Sequence, residues 1–183
     1  MFGSYKKNGF TLLEILVAIL ILGLLAAIVP PLLRTAQPAA ERKKFITQLN
    51  ALMKFAWTNA ITTGKTHRVT FFWDKNLVQV GFDDKKKNKG IPIPGTYFDT
   101  TIKIPKQLEV KNFYIEGKDE RARHAGGSKE IWFFVYPQGM CQSVVINMFD
   151  IKDKINDRRN RPVSLVLNPF TAQFEVYNVF KKP

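Results

Sequence analysis

The sequence has little of the chemistry that enzymes and metal centres use most often. It contains one cysteine, Cys141, and two histidines, His67 and His124. A single cysteine excludes a disulfide within the chain, and its apolar surroundings predict a small buried side chain. His67 falls at the start of a predicted strand and His124 in a glycine-rich segment, so structural or solvated roles are expected. No nucleophile–base pair stands out, so we predict no catalytic site, no cofactor and no enzymatic activity.

Three aspartates come nearest to a metal-binding pattern. The spacing of Asp150, Asp153 and Asp157 fits no defined calcium loop. Lys152 and Lys154 lie between them and would repel a cation. We therefore predict no metal site.

Acidic residues are scarce, 15 against 28 basic ones, which gives a formal net charge of +13. The basic residues concentrate at 85–89, 121–123, 158–161 and 181–182. Such clusters attract polyanions such as DNA, but no nucleic-acid motif or aromatic-interleaved groove accompanies them. We interpret them as solvated loop faces, and nucleic acid is not expected as a partner. An anionic lipid surface or an acidic partner subunit would use the same charge.

The longest apolar run lies near the start of the chain. It extends from Phe10 to Val29, and Glu14 is its only charge. As a helix it would span roughly 30 Å, the thickness of a bilayer core. A carboxylate there costs on the order of 2.5–3.5 kcal/mol at the helix centre and less near an end, so Glu14 is expected to have a partner. A secretory signal peptide has a shorter apolar region followed by a small-x-small cleavage site, which this run does not offer.

The segment Gly9-Phe10-Thr11-Leu12-Leu13-Glu14 resembles the type IV prepilin signal, a glycine followed by Phe-Thr-Leu-x-Glu and an apolar helix. The resemblance implies that a prepilin peptidase cleaves after Gly9 and methylates the new N-terminal residue, Phe10. It also implies that subunits stack these helices into a filament core. There Glu14 would pair with the ammonium of Phe10 on a neighbouring helix, because an unmatched register would leave both charges buried and unpaired. A tolerated interfacial carboxylate is the alternative interpretation of Glu14.

Pro30 and Pro31 follow the apolar run. Because proline removes a backbone donor, the pair predicts a kink or a locally unwound segment. Basic residues flank the run on both sides, so the charge pattern leaves the orientation ambiguous, and long domains translocate largely regardless of charge. The family orientation places the leader in the cytoplasm and the C-terminal domain in the periplasm.

The rest of the sequence predicts an α+β head. Residues 39–62 have apolar side chains three and four apart, as in an amphipathic helix, and Gly64 is a plausible stop. Eight strands are predicted after it, and the first two form a hairpin around 74–76. Their ranges are 66–73, 77–82, 100–104, 108–115, 131–136, 141–149, 163–167 and 172–179. A long helix followed by such strands predicts an antiparallel sheet packed against the helix, and the prepilin resemblance implies that this fold is pilin-like. The predicted divisions are a cleaved leader at 1–9, a transmembrane and filament-core helix at 10–33, an amphipathic continuation at 34–64 and a β-rich head at 65–183.

Segments of the head resemble the H-type minor pseudopilin of type II secretion systems, general secretion pathway protein H. The resemblance rests on the helix-to-strand junction at 49–72, the turn Tyr136-Pro137-Gln138-Gly139 and the hairpin at 165–176. That hairpin usually carries glycine where this chain has Ala172.

The resemblance implies a single-pass protein of the bacterial inner membrane with a periplasmic head. It implies a subunit that helps to export folded proteins across the outer membrane. Its partners would be major and minor pseudopilins, the prepilin peptidase, the inner-membrane assembly platform and membrane lipid. A minor pilin of a type IV pilus or a DNA-uptake filament is the alternative.

Overall fold

The computed structural model describes residues 11–84, 89–93, 99–123, 130–155 and 159–183, without the side chains of 27–36, Lys89 and Pro92. The chain divides into two compact units, one ending at Gln37 and the other comprising Pro38–Pro183. The second unit is called the head. In chain order the elements are α1 (Leu12–Thr63), β1 (His67–Phe72), β2 (Leu77–Asp84), β3 (Lys89–Pro92), β4 (Thr101–Lys103), β5 (Leu108–Ile115), β6 (Lys118–Asp119), α2 (Glu120–Arg123), β7 (Glu130–Tyr136), β8 (Met140–Cys141), β9 (Val144–Ile155), β10 (Arg159–Asn168) and β11 (Gln173–Tyr177).

Helix α1 contributes the central apolar stripe of the head. The stripe predicted from the sequence is confirmed, since Phe45 is 2% exposed and Leu49, Leu52, Ala56 and Ala60 are 0% exposed. Spacings of three and four place these side chains on one helix face. That face is buried while the opposite face stays in solvent.

Gly64 ends α1 as predicted. Its φ of +64° is the left-handed conformation that commonly terminates helices and that glycine adopts without strain. The chain can therefore turn directly into β1.

The backbone of α1 is helical through Pro30 and Pro31. Of the predicted kink or locally unwound segment, this backbone shows no unwinding. Each proline removes only one backbone donor from the ladder, and hydrogen bonds on both sides continue the helix. The predicted kink stays a prediction.

The strands form two antiparallel sheets. In the first sheet the order is β3-β2-β1-β7-β8, with β4 also paired to β2; in the second it is β11-β10-β9-β5-β6. The predicted hairpin is confirmed by the β1–β2 register, in which Phe72 faces Leu77. Asn76 occupies the left-handed conformation in the turn between them. The α+β fold, a long helix with an antiparallel β head, is confirmed, and the head has two sheets.

The core lies among the α1 stripe and the inner faces of both sheets. The first sheet contributes Val69, Phe71 and Phe133, and the second contributes Ile146 and Leu165. All five side chains are at most 2% exposed. They come from β1, β7, β9 and β10, and Val69 and Phe71 lie on one face of β1 because every second side chain of a strand points to the same face.

Polar contacts fix the helix to both sheets. The Asn50 side chain donates to the Phe174 carbonyl at 3.1 Å and accepts the Phe174 amide hydrogen at 2.7 Å. The Asn50 side chain thus provides hydrogen-bond partners for both backbone groups of Phe174 in the edge strand β11. Trp57 Nε1 donates to the carbonyl of Gly139 at 2.9 Å, at the predicted Tyr136–Gly139 turn. These bonds set the position of each sheet along the helix.

An ion-pair cluster joins α1 to the end of β9. Arg42 lies 2.6 Å from the Asp150 carboxylate and 2.7 Å from that of Asp153, and Arg161 lies 2.7 Å from Asp153. Asp150 is 0% exposed and also accepts the amide hydrogens of Lys152 and Asp153. Burial would raise the pKa of Asp153, but the two guanidinium groups outweigh it and lower that pKa. Asp150 therefore depends on Arg42 for its charge compensation.

Some predicted strand bounds are wrong. The predicted strand 141–149 is two strands in different sheets, because the chain crosses from β8 to β9 at residues 142–143. β9 then continues to Ile155, and β10 begins at Arg159, four residues before its predicted start. The sequence does not show that Arg42 of α1 pairs with Asp150 or that Arg161 pairs with Asp153, and these ion pairs allow charged residues inside both strands. The short strands β3 and β6 were also missed.

His67 lies where α1 and β1 meet. Its Nδ1 donates to the Lys65 carbonyl at 2.9 Å, and its Nε2 lies 3.0 Å from the Asn59 side-chain amide. The imidazole is 0% exposed, and its pKa is lowered because burial disfavours the charged ring, which outweighs the Lys65 hydrogen bond. The structural role expected for this histidine is confirmed.

Replacing Arg42 by methionine should destabilise the head by about 3 kcal/mol, because Asp150 would remain buried without its countercharge. The check is chemical denaturation of the full chain in neutral detergent, followed by tryptophan fluorescence. Lys43→Met is the matched control: it removes an exposed charge from the same helix turn and should change the free energy of unfolding by less than about 0.5 kcal/mol. Equal effects of the two substitutions would contradict the role of the cluster.

The stability of the head should fall as the pH drops below about 6.5. The folded state binds a proton at His67 only at lower pH than the unfolded chain, so the unfolded state gains protons first. The stabilisation that neutral His67 gives the folded head is complete above the pKa of the unfolded chain. It is lost as the pH falls from that value through the lowered pKa of the folded state. Denaturation of the wild type and of His67→Gln between pH 7.5 and 5.5 checks this. The decline should be smaller in His67→Gln and unchanged in His124→Gln; the same decline in all three proteins would refute it.

Candidate functional site

The N-terminal part of α1 presents an uncovered apolar surface. All large apolar side chains from Leu12 to Leu25 are exposed, from 44% at Val17 to 83% at Leu12. A contiguous apolar patch of this extent marks a surface that contacts a membrane or another protein. We define this exposed segment, residues 12–26, as the assembly helix.

Glu14 is the only ionisable residue of the assembly helix. It lies in the first turn of α1, and its side chain is exposed. A carboxylate is favourable there because the helix N-terminus carries partial positive charge. Within the described part of the chain the Glu14 carboxylate makes no hydrogen bond or ion pair. Because this carboxylate is exposed, a cationic group of another molecule can reach it.

Thr11 starts the helix. Its hydroxyl accepts the amide hydrogen of Glu14 at 3.2 Å, and its carbonyl accepts the same hydrogen at 3.1 Å. This is the N-cap arrangement, in which a hydroxyl satisfies a free amide of the first turn. Our sequence reasoning did not single out Thr11. The spacing Thr-x-x-Glu, which is typical of a capping box, would have indicated it.

The structure gives less about the other residues predicted to act in processing and assembly. Gly9 and Phe10 lie outside the described residues, so cleavage and methylation there stay predictions. Pro30 and Pro31 are described by their helical backbone alone. The structure therefore places Glu14 and Thr11 together in the first turn and leaves the cleavage site as a sequence prediction.

The head residues considered as chemical candidates have structural partners. Asp150 and Asp153 are bound by Arg42, and Asp157 lies outside the described residues. Cys141 is buried, as predicted, with its Sγ 3.4 Å from the Pro169 carbonyl. Burial raises the pKa of this thiol to about 12. A thiol with this pKa stays protonated and is a poor nucleophile.

Across the described part of the chain, no helix has an apolar stretch long enough for a membrane crossing. The predicted membrane segment 10–33 begins outside the description, and the side chains of residues 27–36 are also outside it.

Comparison with known proteins supports the predicted N-terminal motif and the predicted fold. Residues 4–30 match the family described as the prokaryotic N-terminal methylation motif. The type II secretion system core protein G of Pectobacterium carotovorum subsp. carotovorum is 46% identical over 49 residues, 27% of this chain and 31% of that protein. The protein of the same name from Klebsiella pneumoniae is 49% identical over 47 residues, 26% of this chain and 34% of that protein. The chain thus spans about a third of the length of these relatives.

The head has a known fold. The minor pseudopilin EpsH from the type 2 secretion system of Vibrio cholerae superposes with a TM-score of 0.50 at 10% identity, over 74% of this chain and 95% of that one. At this identity the likeness concerns the fold alone. The prediction of a pilin-like chain is confirmed, by its N-terminal motif and by its α+β fold.

Proposed function

We propose that this chain is a minor pseudopilin of a type II secretion system, of the H type. It would join a short periplasmic pseudopilus that helps to export folded proteins across the outer membrane. This proposal rests on one combination of features. A methylation motif runs directly into an exposed apolar helix, and the same chain has a head with the fold of a minor pseudopilin.

Processing would begin at Gly9. We propose that the prepilin peptidase cuts after this residue and methylates Phe10, whose amine keeps its positive charge as a secondary ammonium. Thr11 then follows at once as the N-cap of α1. The new ammonium would lie close to the start of α1. There it could pair with Glu14 of a neighbouring helix.

Assembly would follow from the exposed surface of α1. Before assembly the apolar side chains of residues 10–33 would lie in the inner membrane, with the head in the periplasm. In the filament they would pack against the corresponding helices of other major and minor pseudopilins. The Glu14 carboxylate would pair with the Phe10 ammonium of a neighbour, because two unpaired charges in an apolar filament core are strongly unfavourable. The pairing would thereby fix the axial register, with the inner-membrane assembly platform supplying the subunits.

The head would act by binding rather than by catalysis. Its buried ionisable groups are used in structural contacts, such as the Arg42–Asp150 pair and the His67 hydrogen bonds. We therefore propose a non-enzymatic subunit whose specificity resides on the surface of the head.

Replacing Glu14 by alanine should leave membrane insertion and cleavage intact but reduce incorporation into pseudopili at least about tenfold. The reduction follows because the neighbour's ammonium would lose a buried countercharge, which costs about 3 kcal/mol or more. The measurement is the amount of chain in sheared pseudopili relative to the membrane fraction, with secretion of a reporter protein measured in parallel.

Glu109→Ala removes an exposed carboxylate from β5 and serves as the matched control. It should assemble and support secretion as the wild type does. Wild-type incorporation of Glu14→Ala would refute the pairing. Normal secretion in a strain lacking the whole chain, together with loss of a surface pilus, would refute the secretion role.

A further inference from the structure

A groove runs along the head between α1 and β4. Lys44 and Gln48 line one wall, and Lys103 lines the other. These three residues are shared by two adjoining cavities of about 410 and 640 Å³. We call this feature the α1–β4 groove. All residues named for it belong to the head.

The floor of the groove is apolar. Phe45 and Ile104, which are 2% and 6% exposed, form it at one end, and the half-buried Leu77 and Ile102 continue it at the other. An apolar floor with polar walls is typical of surfaces that receive side chains of another molecule. Burial of apolar side chains against this floor would supply binding energy.

The rim of the groove is positively charged. Lys44, Lys75, Lys103 and Lys106 line it, and Glu41 and Asp99 are the only acidic residues among the described lining residues. The Asp99 carboxylate already accepts the amide hydrogen of Thr101 at 2.9 Å. Within the described residues, Lys44, Lys103 and Lys106 make no ion pair. The charge of the rim therefore complements a negatively charged occupant.

Strand β4 offers a backbone edge beside these lysines. It pairs with β2 on one side, where the Ile104 amide donates to Asn76 and the Val80 amide donates to Thr100. Successive residues of a strand direct their backbone groups to opposite sides. Lys103 therefore directs its amide and carbonyl to the edge away from β2, where an incoming strand could pair.

We propose that the α1–β4 groove binds an extended acidic segment of a neighbouring filament subunit, in which carboxylates alternate with apolar side chains. The apolar side chains contact the floor, the carboxylates meet the lysine rim, and the backbone pairs with Lys103. Alternation suits the groove because side chains on an added strand point to opposite faces with a period of two. The identity of the occupant as a filament subunit rests on the proposed function; the chemistry of the groove does not.

The test is binding of a fluorescent synthetic peptide, in which glutamate alternates with valine, to the full chain in neutral detergent micelles. Fluorescence anisotropy should show saturable binding that weakens with salt. The double variant Lys44→Glu/Lys103→Glu should bind at least about tenfold more weakly. Lys118→Glu/Lys182→Glu changes the net charge equally at exposed positions elsewhere on the head and should bind as the wild type does.

A pair of substitutions at one position tests the strand pairing. Lys103→Gln removes the charge and keeps the amide donor, whereas Lys103→Pro removes both at an edge that tolerates proline. Binding should be weaker to the proline variant than to the glutamine variant. Circular dichroism verifies that each variant is folded, and Lys44→Gln/Lys106→Gln tests the rim without touching the strand.

Absence of peptide binding, or equal losses in the groove and control double variants, would overturn the proposal. So would binding of the groove to phosphatidylglycerol vesicles without binding to the peptide, since the occupant would then be a lipid. These measurements require no filament. A failure of the groove therefore differs from a failure of the proposed function, which shows as normal incorporation of Glu14→Ala.

Discussion

The structure depends on one constraint, which is that a single helix must satisfy two different surroundings. In the head, Leu49, Leu52 and Ala56 of α1 are completely buried among the sheets. In the assembly helix, side chains of the same type, such as Leu12, are exposed. At about 25 cal/mol per Å² of apolar surface removed from water, the first set stabilises the folded head, while the second is left without a covering surface. The fold thus completes the head and leaves the apolar surface of the assembly helix exposed for contact with a membrane or another protein.

Polar residues give the two surroundings their specificity. Along the head, Arg42, Asn50 and Trp57 each make a directed bond to a sheet. Apolar contacts alone tolerate sliding, whereas a buried carboxylate such as Asp150 fixes one position because an unpaired charge is costly. Glu14 would apply the same principle between subunits. A buried carboxylate thus fixes the register of the helix in the head, and under the proposed function Glu14 would do the same between subunits.

Much of the fold could be predicted from local patterns, because those patterns record which side chains face a core. The α1 stripe, its end at Gly64 and the β1–β2 hairpin followed from periodicity and turn residues. The extended β9 did not, since Asp150 resembles a strand-ending residue until Arg42 is seen beside it in space. The last hairpin carries Ala172 where glycine is usual, and the structure shows this alanine at a φ of +52° with its side chain buried. Glu14 of the candidate site was evident as a lone charge. The groove was not, because it lies between α1 and β4, two elements that are distant in the chain.

The most direct test of the proposed processing is the mass of the N-terminal peptide of the mature chain, purified from cells that contain a prepilin peptidase and from cells that lack it. The proposed processing predicts that the mature chain begins at Phe10 with a methylated amine in the first cells, and that the leader is retained in the second. A mature chain that begins elsewhere, or one whose N-terminus does not depend on the peptidase, would contradict it. Without an ammonium at Phe10, Glu14 would have no partner and the exposed helix no defined register.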